Sequence, residues 1–550
     1  MSLQRPPGDA PQASPRQRAV LDSAHVGDIQ GAFGTIGQYE GGRQGLRRRS
    51  LALLAIIGPG LIVMVGDNDA GGVATYSQAG QNYGTSLLWV LLLLIPVLVV
   101  NQEMVVRLGA VTGVGHARLI NERFGKFWGA FSVGDLFILN FLTIVTEFIG
   151  VSLALGYFGI SKDISVPIAA AGLVAITISG SFRFWERAMF VFVFTSLLFI
   201  PLFFMVHPDV GNIADHLVVP GIYGGATSTS VLLIIGVVGT TVAPWQLFFQ
   251  QSNVIDKRIT PRWINYERLD TWIGAFVVVV SAVALVAVSA FAFRHTRYFG
   301  QFTDAGGTAT ALDHVIGPAA GTIFAVVLLN ASLIGAGALT LSTSYAFGDV
   351  FGIKSSLHRS FSDAKLFYAI FAAMIVGAAA IVLIPGAPLG VITLAVQALA
   401  GVLLPSATVF LLLLCNDREV LGPWRNPGWL NVLASIIVAT LVLLSLILMA
   451  TTVFPNINVT AVSLGGAIGL AVSLLTFGVV TLRSRRGAEA VTVIDSSPPI
   501  PKEQWTMPPL ALLARPQWST GRKLAMLALR GYLVLSVILL LVKAVQLGGG

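Results

Sequence analysis

The chain has few charged residues and almost no cysteine. Only 11% of its 550 residues are charged, and its single cysteine, Cys415, excludes an intrachain disulfide and a thiolate metal cluster. The N-terminal residues 1–45 contain no apolar run, so we expect no cleaved signal peptide. The first membrane helix would then act as its own insertion signal.

Long apolar runs dominate the rest of the sequence. Hydrophobic residues make up 55% of the chain and the mean hydropathy is +0.81, which fits a polytopic helical membrane protein and no soluble globular class. Twelve runs are long enough to span a bilayer, near residues 51–80, 85–107, 131–157, 164–182, 188–206, 230–255, 270–293, 321–350, 364–384, 386–415, 428–453 and 459–482. A further stretch, 524–547, is expected either to span or to lie in the membrane interface.

The basic residues predict the orientation. The tail before the first run holds seven arginines, including Arg47–Arg49 at the membrane edge, whereas the loops on the opposite side carry only Lys162, Arg294 and Arg297. The positive-inside rule therefore predicts a cytoplasmic N-terminus in a multi-pass protein of the plasma membrane. This distribution explains the pI near 9.7 without a nucleic-acid partner. Residues 1–45 are predicted to be a disordered cytoplasmic tail, and 484–550 a second cytoplasmic tail that includes the stretch 524–547.

A polar interruption divides the first apolar run. Residues 66–72 read Gly-Asp-Asn-Asp-Ala-Gly-Gly within an otherwise apolar segment. A charged side chain near the bilayer centre costs at least about 2.5–3.5 kcal/mol, so intramembrane carboxylates indicate function. Glycine lets the backbone unwind, and unwound backbone is tolerated at that depth only where it lines a cavity or a site. The segment predicts a cation site in a broken transmembrane helix.

A second interruption lies five spans later. The sixth run reads Gly-Thr-Thr-Val-Ala-Pro-Trp-Gln over 239–246, and Pro244 removes a backbone donor and clashes with the preceding turn. Paired breaks in corresponding spans are typical of inverted repeats that hold substrate near the midplane. We therefore predict an all-α, leucine-transporter-type fold with broken helices 1 and 6. Its two five-helix repeats would cover 50–207 and 230–415, followed by helices 11 and 12 over 428–482.

The motifs around these breaks resemble those of the NRAMP divalent-metal transporters. The matching segments are Gly58–Leu61 with Gly66–Thr75, Arg107–Gly113, Thr146–Gly150, Val242–Leu247, and Gln397 eight residues before Pro405. They follow the family's order over about residues 50–480. The resemblance implies that Asp69 corresponds to the metal-binding aspartate and Gln397 to the glutamine of helix 10.

Four departures from the family pattern are informative. Gly72 replaces a metal-binding Asn, Ala243 a Met, Trp245 a His, and Ile144 an acid of helix 3. This set resembles the NRAMP-related magnesium transporters, a branch that carries Mg²⁺. The resemblance implies a transporter, not an enzyme, with Mg²⁺ as substrate and no cofactor.

The chemistry of the remaining groups agrees with magnesium. A thioether favours softer metals, and with Ala243 in its place the breaks offer oxygen. The predicted metal site comprises the carboxylates of Asp69 and Asp67, the amides of Asn68, Gln246 and Gln397, freed carbonyls near Val65 and Thr240, and space at Ala243. Mg²⁺ binds through one or two carboxylates and keeps several waters. The alternative is a Mn²⁺ site through Asp69, in which Gly72 and Ala243 are changes of packing only.

Proton coupling is expected to be absent. None of the seven histidines falls within a predicted span, and the family's proton pathway is reduced to Glu147, which is either a protonated core residue or a surviving proton acceptor. We therefore predict electrogenic transport driven by the membrane potential. A proton-coupled Mn²⁺/Fe²⁺ symporter is the first alternative, and a transporter-like metal sensor is a more distant one because the tails are short for an effector domain. The sequence leaves the oligomeric state open.

Overall fold

The protein is helical over almost all of its described length. The structure, a computed structural model, describes residues 21–40, 45–385, 389–454, 457–487 and 501–514, together with Ala19 and several positions from 526 to 534. The helices are α1 (Leu46–Ile56), α2 (Pro59–Asp67), α3 (Ala70–Tyr83), α4 (Leu88–Thr112), α5 (His116–Phe124), α6 (Lys126–Tyr157), α7 (Lys162–Ile178), α8 (Phe182–Ser196), α9 (Phe199–Met205), α10 (Val210–Val218), α11 (Ser228–Thr241), α12 (Pro244–Asp256), α13 (Ile264–Phe293), α14 (Ala305–Val315), α15 (Pro318–Phe351), α16 (Lys365–Val382), α17 (Leu389–Cys415), α18 (Arg418–Leu421), α19 (Gly428–Val453) and α20 (Val459–Gly487).

The membrane-length helices match the predicted spans. In the described part of the chain, ten helices are long and apolar enough to cross a membrane, and the pair α1–α2, bent by 52°, gives an eleventh. The predicted fourth run corresponds to α7, an apolar helix of 17 residues. The predicted stretch 524–547 lies largely outside the described residues. The all-α, multi-pass fold expected from the sequence is confirmed.

Both polar interruptions are breaks between helices. The first interruption separates α2 from α3, and the second separates α11 from α12. The sixth span is almost completely buried, and α13 packs along both halves of the first. Contact between α2 and α13 is close, because a Cβ at Gly60 would lie 2.7 Å from the backbone nitrogen of Thr271. Small residues permit such approach between membrane helices. The two breaks therefore lie inside the bundle, covered by α6, α13, α15 and α17.

The N-terminal region differs from the expected disordered tail over residues 22–36. Ser23–His25 form a 3₁₀ turn, and strands β1 (Ile29–Gly31) and β2 (Gly34–Ile36) pair antiparallel, with Ile29 opposite Ile36. Ile29, Ala32 and Ile36 are buried, and the strands pack on α1. Tertiary packing of these few apolar residues orders a segment whose overall composition is polar.

Part of the C-terminal tail also packs against the helices. Met507 is buried, and its backbone N–H donates to the carbonyl of Val111 at 3.1 Å. The indole N–H of Trp424 donates to the carbonyl of Lys502 at 2.8 Å. Residues 501–514, part of the predicted C-terminal tail, are therefore held to the end of α4 and to the loop before α19.

Candidate functional site

The first break is organised by Asp69. Helix α2 ends at Asp67, and Asp69 is the N-cap of α3, with its Oδ1 accepting from the backbone N–H of Gly72 at 2.7 Å. Asp caps a helix well because its side chain satisfies a free backbone N–H. Asn68 links the break to α13 by donating its side-chain amide to the carbonyl of Val278 at 3.1 Å. All three polar side chains are buried at this point.

The second break is set by proline. Helix α11 ends at Thr241, Ala243 is extended, and α12 begins at Pro244. Proline suits the first position of a helix, where its missing N–H has no intrahelical partner to lose. Ala243 is only 5% exposed, so its methyl group lies within the protein.

The two breaks lie against each other. The hydroxyls of Tyr76 and Thr241 are 2.7 Å apart and join α3 to α11. A Cβ at Gly72 would lie 3.2 Å from the Oγ1 of Thr240 and 3.1 Å from the carbonyl oxygen of Asp67. The Gln246 side chain of α12 lies beside the carboxylate of Asp67. The structure thus brings Asp67, Thr240 and Gln246 to one place.

Helices α6 and α17 also contribute side chains to the first break. The Nε2 of Gln397 would lie 1.7 Å from a Cβ at Gly71, so this glutamine rests directly on the backbone of α3. Glu147 accepts through Oε2 from the backbone N–H of Ala70 at 3.1 Å, and it interacts with Asp69. Glu147 is therefore part of the same cluster. The residues predicted for the site thus lie at the two breaks or against them, and Ala243 is the buried residue that precedes α12.

Several buried oxygens at the break lack a hydrogen bond of good geometry. Within the described residues these are both carboxylate oxygens of Asp67, the side-chain carbonyl of Asn68, the Oγ1 of Thr240 and the Oε1 of Glu147. A buried polar atom left unpaired costs about 1–3 kcal/mol, so native structures rarely leave several together. Their number distinguishes this break as the candidate binding site. The carbonyl near Val65 that the sequence analysis expected to be free is hydrogen-bonded, because the carbonyl of Val65 accepts from the backbone N–H of Asn68 at 3.2 Å.

The comparisons with known proteins identify the family. The family model described as natural resistance-associated macrophage protein-like matches residues 60–451. The chain belongs to the NRAMP family. Members of this family are transporters, so the chain is a transporter and not an enzyme.

Similar proteins agree with this family, and a similar solved structure agrees with the fold. The NRAMP chain is 29% identical to a divalent metal cation transporter MntH of Burkholderia ambifaria, over 73% of this chain and 90% of that protein. It is 27% identical to the MntH of Bacillus subtilis, over 81% and 99% respectively. The crystal structure of an Eremococcus coleocola manganese transporter superposes with a TM-score of 0.62 at 22% identity, covering 81% of this chain and 98% of that one. The last likeness confirms the predicted fold.

None of the residues predicted for the site carries a thiol, thioether or imidazole group. Trp245 is buried and packs with Gly66 and Phe249, and its indole N–H has no acceptor among the described residues. Ile144 is fully buried. No group of three or more His, Cys, Asp or Glu suited to a metal ion occurs in the described ranges. The arrangement offers the carboxyl groups of Asp67 and Asp69, with that of Glu147 beside Asp69, assisted by neutral oxygens.

Two contributions to this NRAMP site were missed by the sequence analysis. Tyr76 joins the two broken helices, and Gln102 of α4 donates to the Oε1 of Gln246 at 3.1 Å. Tyr76 lies four residues after Gly72, and that spacing places both on one face of α3. The spacing of Gly72 and Tyr76 could therefore have identified Tyr76 from the sequence. For Gln102 the sequence offers no local signal, because the contact depends on how α4 packs against α12.

Proposed function

We propose that the protein carries Mg²⁺ across the plasma membrane by alternating access, driven by the membrane potential and without proton coupling. The observation that carries this proposal is the ligand set at the breaks. It consists of oxygen atoms, several of them buried and unpaired, with Ala243 where a thioether would stand. Asp69, Asp67, Asn68, Thr240, Gln246 and Gln397 are the proposed metal-binding residues.

The charges favour a small divalent cation. Asp67 and Asp69 are both buried and lie close enough to repel each other. A divalent cation between them compensates two negative charges, whereas a monovalent cation leaves one. Mg²⁺ usually binds through one or two carboxylates and keeps several of its waters. The neutral oxygens of Asn68 and Thr240 are suited to accept hydrogen bonds from those waters.

The lack of an imidazole at the breaks, together with Ile144 in place of one of the helix-3 acids, supports uncoupled transport. Trp245 and Ile144 cannot bind or release a proton, and Glu147 is tied to the backbone of Ala70. The potential is sufficient as a driving force. Moving two charges across 100 mV yields about 4.6 kcal/mol, which corresponds to roughly a thousandfold accumulation.

A second candidate is a proton-coupled Mn²⁺ or Fe²⁺ symporter. The relatives are named divalent metal cation transporters, and one solved neighbour is named a manganese transporter. These names favour a divalent metal as cargo. Glu147 beside Asp69 is the observation that favours a surviving proton step. The positions of the basic residues support a cytoplasmic N-terminus for either candidate.

Flux into proteoliposomes tests the proposal. An inside-negative potential is imposed, Mg²⁺ and Mn²⁺ are supplied in separate runs, and lumenal pH is recorded. We expect Mg²⁺ entry without acidification. Entry of Mn²⁺ with acidification, and no entry of Mg²⁺, would contradict the proposal and favour the symporter. Empty liposomes and Asp69→Ala liposomes provide the controls for leakage.

A further inference from the structure

The N-terminal hairpin segment, residues 22–36, is tied to three separate parts of the bundle. The backbone N–H of Ala32 donates to the Oε2 of Glu186 at 2.5 Å, and Arg187 donates to the carbonyl of Ala32 at 2.9 Å. Both partners lie on α8. Arg258, which follows α12, donates to the carbonyl of Ala24 at 2.9 Å. Side chains of α8 and Arg258 therefore hold the hairpin segment against the bundle.

The third attachment is an ion pair with the loop between α15 and α16. The guanidinium of Arg359 donates to both carboxylate oxygens of Asp22, with Nε distances of 3.0 and 2.9 Å. Burial of Asp22 by itself raises the pKa of the carboxyl. The hydrogen bonds from Arg359 and from the backbone N–H of Ala24, together with the electrostatic effects of His25 and Arg359, outweigh burial and hold the pKa below its ordinary value. Bidentate pairs of this kind are strong and directional.

A buried charge cluster connects the hairpin segment to the first broken span. Glu186 uses its other oxygen, Oε1, to bind the Nζ of Lys257 at 2.5 Å, and Lys257 donates to the carbonyl of Ile57 at 2.8 Å. Ile57 lies in the short connection between α1 and α2. Glu186 and Lys257 are both fully buried, so breaking their pair leaves an uncompensated charge.

Asp270 of α13 holds the start of α2 within the same cluster. Its carboxylate accepts from the backbone N–H groups of Gly58, Gly60 and Leu61 at 3.0, 2.7 and 3.2 Å. These are the free donors that a helix N-terminus exposes. Lys257 interacts electrostatically with Asp270. The position of α2 thus depends on the cluster, and one member of the cluster, Glu186, also binds the hairpin segment.

The hairpin segment also covers the helix that leads into α2. A Cβ at Gly34 would lie 3.1 Å from the Cβ of Ala55, and one at Gly31 would lie 1.9 Å from its carbonyl oxygen. Ala52 and Ala55 of α1 are consequently buried. Movement of α1 and α2 away from the bundle on this face would require the hairpin segment to separate from α8 or from α1.

We propose that residues 22–36 hold the transporter closed on the face where they pack against α1 and α8. Glu186 is the positioning residue through which the hairpin segment fixes α2, the helix that precedes the first break. The inference rests on the proposed alternating access. Opening toward this face then requires two linked events, which are release of the hairpin segment and release of α2. Removing the Asp22–Arg359 pair, far along the chain from α2, should loosen both.

Hydrogen exchange of the full chain in lipid nanodiscs tests the linkage. In Arg359→Ala we expect the amides of residues 22–36 and those of Gly58–Leu61 to exchange about tenfold faster than in wild type, since charge-assisted hydrogen bonds are lost. The charge swap of Asp22→Arg with Arg359→Asp should restore protection at both places. Arg118→Ala, which breaks a partly exposed ion pair with Glu122 on α5, is the matched control and should change neither.

Two further results decide the proposal. Glu186→Gln keeps an acceptor for Ala32 but removes the charge that faces Lys257, so we expect faster exchange at Gly58–Leu61 in this variant. Faster exchange at residues 22–36 in Arg359→Ala, with Gly58–Leu61 unchanged, would overturn the linkage and leave a merely structural hairpin. Wild-type proteoliposomes that take up neither Mg²⁺ nor Mn²⁺ would contradict the proposed function, whereas the exchange result would still decide the linkage.

Discussion

Asp69 has two roles that substitution can separate. It caps α3 through Gly72 and is proposed to bind the metal ion. Asn caps helices about as well as Asp, so Asp69→Asn should keep the break and remove one charge. Removing one partner of a buried charge pair costs about 3–5 kcal/mol, and 3 kcal/mol corresponds to roughly a 150-fold loss of affinity. We expect the apparent Mg²⁺ affinity of Asp69→Asn to fall at least a hundredfold.

Asp69→Ala adds the loss of the cap. Replacing a capping residue by Ala costs about 1 kcal/mol, so this variant should melt below Asp69→Asn while losing transport to a similar extent. The assays are potential-driven Mg²⁺ flux over a concentration series and thermal unfolding of the same preparations. Asp209→Asn is the matched control, because Asp209 caps α10 in the same way, through Asn212, at an exposed site. An unchanged concentration dependence of flux in Asp69→Asn would refute a role for this carboxylate as ligand.

Three further outcomes are expected. Ala243→Met places a thioether at the second break and should shift the ratio of Mn²⁺ to Mg²⁺ flux toward Mn²⁺ by about tenfold, equivalent to roughly 1.4 kcal/mol. Flux with both metals in competition measures this ratio. An unchanged ratio would contradict the argument that the lack of a thioether favours Mg²⁺. Gly71→Ala would bring a methyl group within 1.7 Å of the Nε2 of Gln397 and should lower both the melting temperature and transport, whereas Gly134→Ala, at an open position on α6, should be neutral in both assays. Burial lowers the pKa of His116 to about 4, below its unfolded value near 6.5, despite a hydrogen bond with Gln251. The unfolded chain therefore binds the extra proton between these pH values, so stability should decrease as pH falls from 6.5 to 4. In melting series this decrease should be smaller in His116→Gln, and an equal decrease would show that other groups cause it.

The helix breaks were predictable because the bilayer limits what an apolar run can contain. Asp67 and Asp69 interrupt a membrane-length run, and Pro244 interrupts another at the corresponding span. These constraints act locally, so they are visible in a single sequence. The convergence of Gln397 and Glu147 on the first break followed only from resemblance to the family. Their contacts with Gly71 and Ala70 depend on how α17 and α6 pack.

The hairpin segment was not predictable from the sequence because contacts distant along the chain order it. Its apolar residues Ile29, Ala32 and Ile36 lie in a polar stretch that lacks the composition of a folded domain. What orders it is a set of long-range contacts, such as Ala32 with Glu186 and Asp22 with Arg359. No local pattern encodes such pairs. The same limit applies to the cluster around Lys257, which the sequence presents only as one more basic residue near a span end.

Under the proposed function, selectivity and coupling depend on different residues, so they should vary independently. Ala243 lies at the break itself, where a new side chain would add a ligand. Trp245 and Ile144 are buried, and neither side chain can bind or release a proton. A chain with Met at 243 and Trp retained at 245 should therefore gain Mn²⁺ flux and still move charge without protons. If Mn²⁺ flux in that variant acidified the liposome lumen, Glu147 would be the group responsible, because it is the other carboxylate in contact with Asp69 at the break.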